Sequence, residues 1–157
     1  MSTHELKEGD PAPDIHLPDD KGADFQLSSL HGKNVILYFY PKADTPGCTK
    51  ESCEFRDTSK KFAKKDTVIV GVSPDKSAAQ SKFKAKFDLP FTLLADTDHA
   101  AAESYGVWKE KSMYGKKYMG IERTTFLIGA DGKIRHIFHK VKPEGHAEEV
   151  YAALAAI

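Results

Sequence analysis

Two cysteines, Cys48 and Cys53, are all the thiol that this 157-residue chain carries, too few for the disulfide scaffold of a small secreted domain. Net charge is missing as well. Lysine plus arginine and aspartate plus glutamate number 23 each, so no net field draws the chain to nucleic acid or to an acidic membrane surface. No apolar run approaches the roughly 20 residues that span a bilayer, and the opening stretch, Met1 to Asp10, is polar and carries acids. Repeats, low-complexity tracts and an evident linker are absent too. What remains is one domain over residues 1–157, long enough to bury on the order of two-thirds of its unfolded surface without metal or disulfide staples. A soluble, cytoplasmic protein is the expectation. In a reducing cytosol a cysteine pair is more often catalytic or metal-binding than structural.

The chain alternates strand and helix signals. Ile15 to Leu27 reads as an N-terminal β-hairpin turning at Asp19-Asp20-Lys21-Gly22, and Val35 to Tyr40 is a continuous apolar run of the kind buried on both faces of a sheet. A helix after Cys48 carries Ser52, Phe55, Ser59 and Phe62 at spacings of three and four, with Lys60, Lys61, Lys64 and Lys65 near its end, where cations suit the dipole. Val68 to Val72 is the next strand. Ser73-Pro74-Asp75 predicts an N-cap, a proline at the first helical position and an acid in the first turn of a second helix, on which Ala79, Phe83 and Phe87 share a face. Phe91 to Ala95 is a further strand, and a short helix from Asp98 to Tyr105 stops at Gly106. The polar, glycine-dotted stretch from Lys109 to Glu122 reads as a loop leading to a strand at Thr124 to Ile128. Asp131-Gly132 turns that strand into an antiparallel partner, Ile134 to Val141, and a last helix beginning near Pro143 presents Val150, Tyr151, Leu154 and Ile157 as its buried stripe. This order predicts an α/β domain with a mixed central sheet flanked by helices, for which right-handed crossovers favour a thioredoxin-like fold.

The chemistry gathers at Cys48, which ends the run Pro41-Lys42-Ala43-Asp44-Thr45-Pro46-Gly47-Cys48 between a strand and a helix. In open sheets of this kind, sites lie beyond the carboxyl ends of strands, where Val35 to Tyr40 delivers this run. A sulfur in the first turn of a helix meets free backbone N–H groups and the positive end of the dipole, both of which stabilise a thiolate. The Thr45 hydroxyl can donate into the same place. Nucleophilic sulfur is the chemistry this suggests.

Pro41-x-x-x-Thr45-x-x-Cys48 resembles the active-site signature of the peroxiredoxins. Its fuller form, Tyr40 to Glu51, resembles that of the bacterioferritin comigratory protein subfamily, also called PrxQ. The likeness extends to Glu8-Gly9-Asp10-Pro11-Ala12-Pro13-Asp14, to Tyr105-Gly106-Val107-Trp108, and to Arg123-Thr124-Thr125-Phe126-Leu127-Ile128 followed by Asp131-Gly132. Four matches in the same order rarely arise by chance. The resemblance implies thiol-dependent reduction of hydrogen peroxide and organic hydroperoxides, with thioredoxin as reductant. By position, Cys48 would be the peroxidatic cysteine, Thr45 and Arg123 would bind and polarise the peroxide, and Pro41 would shield the site. Cys53 fits the resolving cysteine of members that keep both thiols on one helix, since Ala78 to Phe87 contains none. Members of the subfamily are often monomers, and a monomer is expected here. Neither a metal nor an organic cofactor is required.

Elementary chemistry asks for the same parts. A thiolate that attacks an O–O bond expels hydroxide or alkoxide, so the site needs donors aimed at both oxygens. Arg123, Thr45 and the backbone N–H groups near Cys48 can supply them, and the guanidinium is charged at any working pH. The sulfenic acid that forms must then be trapped, and a nearby thiol condenses with it to a disulfide. On an intact helix, residues five apart lie about 140° around the axis with Cα atoms roughly 8.5 Å apart, whereas a disulfide tolerates at most about 7 Å. The first turns must therefore unwind before Cys48 and Cys53 can join.

Plainer readings stand beside these. Cys48 can be an inert buried residue, Thr45 simply a helix cap, and Arg123 a surface ion-pair partner. Glu51 is either an acid favoured by the helix dipole or the residue that orients Arg123. Trp108, Tyr105 and Tyr114 either flank the mouth of the site or pack in the core. His136 and His139, three apart on a strand, point to opposite faces and do not make a metal site with His146. Two other functions remain: a thioredoxin-type disulfide oxidoreductase, which normally has two residues between its cysteines where this chain has four, and a non-enzymatic redox switch.

Overall fold

In the computed structural model of the protein, which describes residues 5–156, the apolar run from Val35 becomes the central strand of a five-stranded sheet. The N-terminal hairpin is β1 (His16–Pro18) and β2 (Asp24–Gln26), followed by a 3-10 turn at Leu27–Leu30. The chain then runs β3 (Asn34–Phe39), α1 (Pro46–Ala63), β4 (Thr67–Ser73), α2 (Ser77–Phe87), β5 (Thr92–Ala95) and α3 (Ala100–Ser104). It continues through β6 (Trp108–Met113), β7 (Lys116–Ile121), β8 (Thr124–Ile128), β9 (Ile134–Phe138) and α4 (His146–Ala155). The sheet order is β5-β4-β3-β8-β9. β3, β4 and β5 are parallel, and β8 runs antiparallel to both β3 and β9. The mixed sheet and thioredoxin-like order expected from the sequence are what form.

Alternation along β3 divides the core in two. Val35, Leu37 and Phe39 pack with Val70, Val72 and Phe126 under α3 residues Ala101 and Ala102, with Ile15 and Leu27 from the N-terminal segment. Ile36, Tyr38 and Tyr40 face the opposite way and meet Phe55 and Phe62 of α1, Phe83 of α2 and Val150 and Leu154 of α4. A strand covered on both faces has no polar side to show, which is why its sequence does not alternate. The helical faces read from spacing also hold: Ser52, Phe55 and Phe62 are buried, as is Phe83. Among the described residues no helix is long and apolar enough to cross a membrane.

Three expectations need correction. The stretch from Lys109 to Glu122 is not a loop but the antiparallel ribbon β6–β7, paired from Trp108 with Ile121 to Met113 with Lys116. Its turn residues, Tyr114 and Gly115, both have positive φ, at 52° and 78°, as a type I′ hairpin turn requires. The ribbon carries lysines on strands mostly open to solvent, so no hydrophobic period marks it. Ser73 does not cap α2. It ends β4, and its hydroxyl donates to Asp75 Oδ2 at 2.6 Å while accepting from Gln80 Nε2 at 2.8 Å, so the helix begins only after Lys76. Finally, α4 starts at His146 instead of Pro143, because Gly145 takes a left-handed turn at φ 77°. Ile157, expected on the buried stripe of α4, lies outside the described residues.

Gly71 of β4 sits between Tyr38 and Leu93 on the flanking strands. A Cβ there would come within 2.9 Å of both the Tyr38 ring and Leu93 Cδ2. Tyr38 and Leu93 are fully buried and have nowhere to move. Gly71→Ala is therefore expected to destabilise the fold by roughly 1–3 kcal/mol, the usual cost of overpacking, read as a lowered urea midpoint with unchanged slope.

Candidate active site

The loop after β3 turns sharply into α1. Asp44 takes a left-handed conformation, φ 60°, and is held by Lys86 at 2.9 Å. The Ala43 N–H donates to Asp75 Oδ2 at 2.7 Å. Asp75 belongs to a network with Ser73 and Gln80, and the Tyr40 hydroxyl donates to the Gln80 carbonyl. The loop is thus tied to β4 and α2 from below before the helix begins.

Cys48 lies in the first turn of α1, 1% exposed. Arg123, immediately before β8, reaches it from across the sheet: Nη2 donates to Cys48 Sγ at 3.3 Å. The other arm of the guanidinium, Nη1, donates to Glu51 Oε1 at 2.7 Å. Gly47 makes room for this approach, because a Cβ at that position would stand 3.2 Å from Arg123 Nη2 and 3.6 Å from Pro143 Cγ. The backbone of Arg123 is fixed by Val141, whose N–H donates to the Arg123 carbonyl at 2.9 Å. The structure places Arg123, which the resemblance assigned to the site, beside Cys48, and its second arm on Glu51. Glu51 is no surface acid at a helix end, since its side chain is completely buried.

Burial pushes the Glu51 carboxyl up to about 7, with Arg123 pulling it down and Glu54 adding to the rise. Burial works against the charge on Arg123, but Glu51 and Cys48 outweigh it and hold the guanidinium above its usual range. Beneath α1, the Tyr38 hydroxyl bonds Ser52 Oγ at 2.8 Å, and the Tyr38 and Phe55 rings lie 4.8 Å apart. These contacts seat the first turns of the helix. His146 sits on the far side of Phe55, buried between Thr125 Oγ1 and Glu149 Oε1. Burial lowers its pKa despite Glu149.

Thr45 is the N-cap residue in position, and its carbonyl accepts the Thr49 N–H at 2.8 Å. Its side chain makes no cap. The hydroxyl donates back to the Lys42 carbonyl at 2.8 Å, so its oxygen lone pairs, not its proton, are left for a ligand. Pro41 follows the buried Tyr40 and is half-buried beside this loop. Cys53 is half-buried further along α1, and both thiols are free on an unbroken helix.

Lys111 escaped the sequence reading, because its ribbon read as loop. Its stem lies across Gly120, 3.4 Å from where a Cβ would be. Burial and then the charge of Arg123 hold its ammonium below the usual lysine range, while Cys48 and Glu122 act the other way. With Lys109, Glu110, Glu122, Lys140 and Val141 it lines an open cleft beside Arg123. Tyr105 packs in the core, Trp108 stacks on His99 with ring centroids 3.8 Å apart, and Tyr114 is 98% exposed at the ribbon tip. Among the described residues no group of three or more His, Cys, Asp or Glu side chains is placed to hold a metal ion.

Residues 8–137 match the model of the AhpC/TSA family. Peroxiredoxin Bcp of Bacillus subtilis (strain 168) is 50% identical over 146 residues, covering 93% of this chain and 93% of that protein. Peroxiredoxin Bcp of Escherichia coli (strain K12) is 48% identical over 145 residues, 92% of this chain and 93% of that one. Among solved structures, a mutant of Xylella fastidiosa PrxQ is 35% identical with a TM-score of 0.92, covering 99% of this chain and 98% of its own. The bacterioferritin comigratory protein of Xanthomonas campestris, trapped as intermediate and ligand complexes that bear on its alkyl peroxide reduction activity, is 40% identical with a TM-score of 0.87 over 90% of each chain.

The Glu51 carboxyl is pushed from the ordinary 4.5 up to about 7 in the fold. Between those values the native state holds a proton that the unfolded chain has released, so this group's contribution to stability is present below pH 4.5 and is lost as pH rises toward 7. Glu51→Gln has no such titration. The stability of the variant relative to wild type should therefore improve across that window, as measured by urea midpoints at its two ends. A difference that stays flat with pH would mean that Glu51 is ionised throughout.

Proposed function

The chain belongs to the AhpC/TSA family and is a peroxiredoxin, a thiol-dependent peroxidase, and on that premise we propose that it reduces hydrogen peroxide and organic hydroperoxides through a sulfenic acid on Cys48, resolved by Cys53 as an intramolecular disulfide. The observation that carries this reading is the Arg123 guanidinium held 3.3 Å from a buried cysteine sulfur at a helix N-terminus. The alkyl peroxide reduction ascribed to the Xanthomonas campestris relative supports the organic half of the substrate range.

In the first step Cys48 Sγ attacks the hydroperoxide oxygen that bears the proton. The S–O bond forms as the O–O bond breaks, and alkoxide or hydroxide leaves. Arg123 Nη2 and the N–H groups of the first turn stabilise the negative charge as it moves from sulfur to the leaving oxygen. Thr45 Oγ1, its own proton committed to Lys42, accepts from the hydroperoxide O–H and so orients the attacked oxygen. Pro41 keeps bulk water from the sulfur. Glu51 holds Arg123 in register.

In the second step Cys53 displaces water from the Cys48 sulfenic acid. The thiols are five residues apart on one helix, too far for a disulfide by the geometry given above, so the segment around them has to melt locally. The helix hydrogen bonds lost in melting oppose a disulfide whose short loop stabilises it only modestly, and such a bond is readily reduced. Thioredoxin is the proposed reductant and the cytoplasm the proposed compartment, where thiols are kept reduced. The cycle closes within one chain and runs in a monomer.

Loss of peroxide coupled to NADPH oxidation through thioredoxin reductase and thioredoxin tests the whole reading. Cys48→Ser should abolish turnover while leaving the far-UV circular dichroism unchanged; turnover near wild type would rule the role out. Cys53→Ser should react once and stop, and intact mass should show added oxygen on Cys48 in place of the loss of two hydrogens across the pair. Stoichiometric oxidation of the wild type without turnover would favour a redox switch.

Oxidation should also remodel α1. Amide hydrogens from Thr49 to Phe55 are expected to lose exchange protection in the disulfide form while β3 and β8 keep theirs. A bonded pair on a helix that stays protected from Cys48 onward would overturn the melting step.

A further inference from the structure

Cys48 and Glu51 are three residues apart on α1, which places both on one face of the helix. They share a single cation. Arg123 gives one arm to the sulfur and the other to Glu51 Oε1, and both acids are almost wholly withdrawn from water, at 1% exposure each. Glu51 Oε2 has no hydrogen-bond partner among the described residues. Two anions against one guanidinium would leave a net negative charge buried, with an orphaned carboxylate oxygen to carry it, and that is the costly arrangement. A neutral carboxyl beside a thiolate removes the excess charge. A sulfenic acid beside a carboxylate is equally neutral.

We propose that Glu51 is the charge-compensating acid of the peroxide step, protonated while Cys48 is a thiolate and ionised once Cys48 is a sulfenic acid. The inference rests on Cys48 as the peroxidatic residue. The step balances. Thiolate sulfur gives two electrons to the O–O bond and gains the proximal hydroxyl, the distal oxygen leaves as alkoxide or hydroxide and takes a proton from solvent to become alcohol or water, and Glu51 gives its proton back to solvent, so the proton count closes. The buried cluster of Arg123, Cys48 and Glu51 is uncharged before and after. Glu51 touches Arg123 and not the peroxide, so it is a positioning residue whose protonation follows the charge on sulfur.

Among the described residues, Glu54 faces this cluster from the same helix, Tyr38 and Tyr40 from β3 and its end, Lys111 from the β6 ribbon and His146 from α4, with Lys109, Glu110, Glu122 and Lys140 in the open cleft beside Arg123. Glu54 favours the protonated carboxyl, and burial does so most. The Tyr38 hydroxyl is held well above its usual range by burial and is neutral at any working pH. Arg123 favours the ionised carboxyl, and once the sulfur has lost its charge the guanidinium it shared with Cys48 is left to Glu51 alone.

Infrared difference spectroscopy decides the matter. The full-length Cys53→Ser protein, in which the sulfenic acid cannot be resolved, is treated with equimolar hydrogen peroxide at neutral pH, and the reduced spectrum is subtracted from the oxidised one. The expected result is loss of the C=O stretch of a protonated carboxyl, with gain of carboxylate bands equimolar with the sulfenic acid formed. Labelling glutamate carboxyls with 13C should move the lost band without any substitution at position 51. It should vanish in Glu51→Gln and persist in Glu54→Gln. Mass spectrometry of the same samples separates the two ways of failing: no oxygen on Cys48 would sink the peroxidatic assignment, whereas a sulfenic acid with no glutamate band change would overturn the role of Glu51 alone.

Discussion

The site is organised by one positive charge. The Arg123 guanidinium stands between a cysteine sulfur and a buried carboxyl, both on the first turns of α1, and much of the surrounding architecture exists to bring it there. β8 pairs with β3 in a register that sets Thr124 against Phe39, so the residue before β8 emerges at the same end of the sheet as the loop leaving β3. Val141 pins the Arg123 carbonyl, and Gly47 has no side chain to obstruct the guanidinium. Without that cation, two acids on a buried helix face would have no counter-charge, and a lone buried charge is far more costly than a paired one.

In the proposed cycle the same helix serves two incompatible geometries. While it is wound, Cys48 faces Arg123, and the turn is seated by the Tyr38–Ser52 hydrogen bond and the Phe55 ring. The proposed disulfide needs it unwound. The division between the part that opens and the part that stays follows from packing. Phe62 and Tyr151 join α1 to α4 with ring centroids 5.5 Å apart, and the distal turns have no reason to release. The catalytic loop is anchored separately, through Ala43 to Asp75 and through Asp44 to Lys86, so melting α1 need not carry the loop away.

Much of this was legible in the residues. The motif from Pro41 to Cys48 and the strand at Arg123 pointed to the family and singled out Cys48 as the candidate nucleophile, because a thiolate that cleaves an O–O bond tolerates few substitutes for a helix N-terminus and a permanent cation. The five-residue spacing of the cysteines excluded a disulfide between them on a wound helix, since helix rise and disulfide reach are constants of the polypeptide. β3 announced itself as a strand covered on both faces. Where side chains answer to solvent on one side and core on the other, period and burial are the same information, and the pattern in sequence is enough.

What only the tertiary structure decided was everything that depends on a partner distant in sequence. The β6–β7 ribbon shows no hydrophobic period because it is held by backbone pairing and stands largely in water, so Lys111 came to the cleft unannounced. Ser73 looks like a helix cap until β4 claims it as a strand end and Gln80 takes its hydroxyl. Thr45 occupies the capping position, yet its hydroxyl turns back to Lys42, a choice between acceptors that a linear pattern does not record. Glu51 is the sharpest case. In sequence it reads as a first-turn acid, ordinarily a solvated group favoured by the dipole, but α1 begins at Pro46 and has no acid in its first turn, and Glu51 is a buried, half-satisfied carboxyl because α1 is laid against the sheet with that face inward. Local chemistry chooses which residues can react; burial sets the charge they carry, and burial belongs to the whole fold.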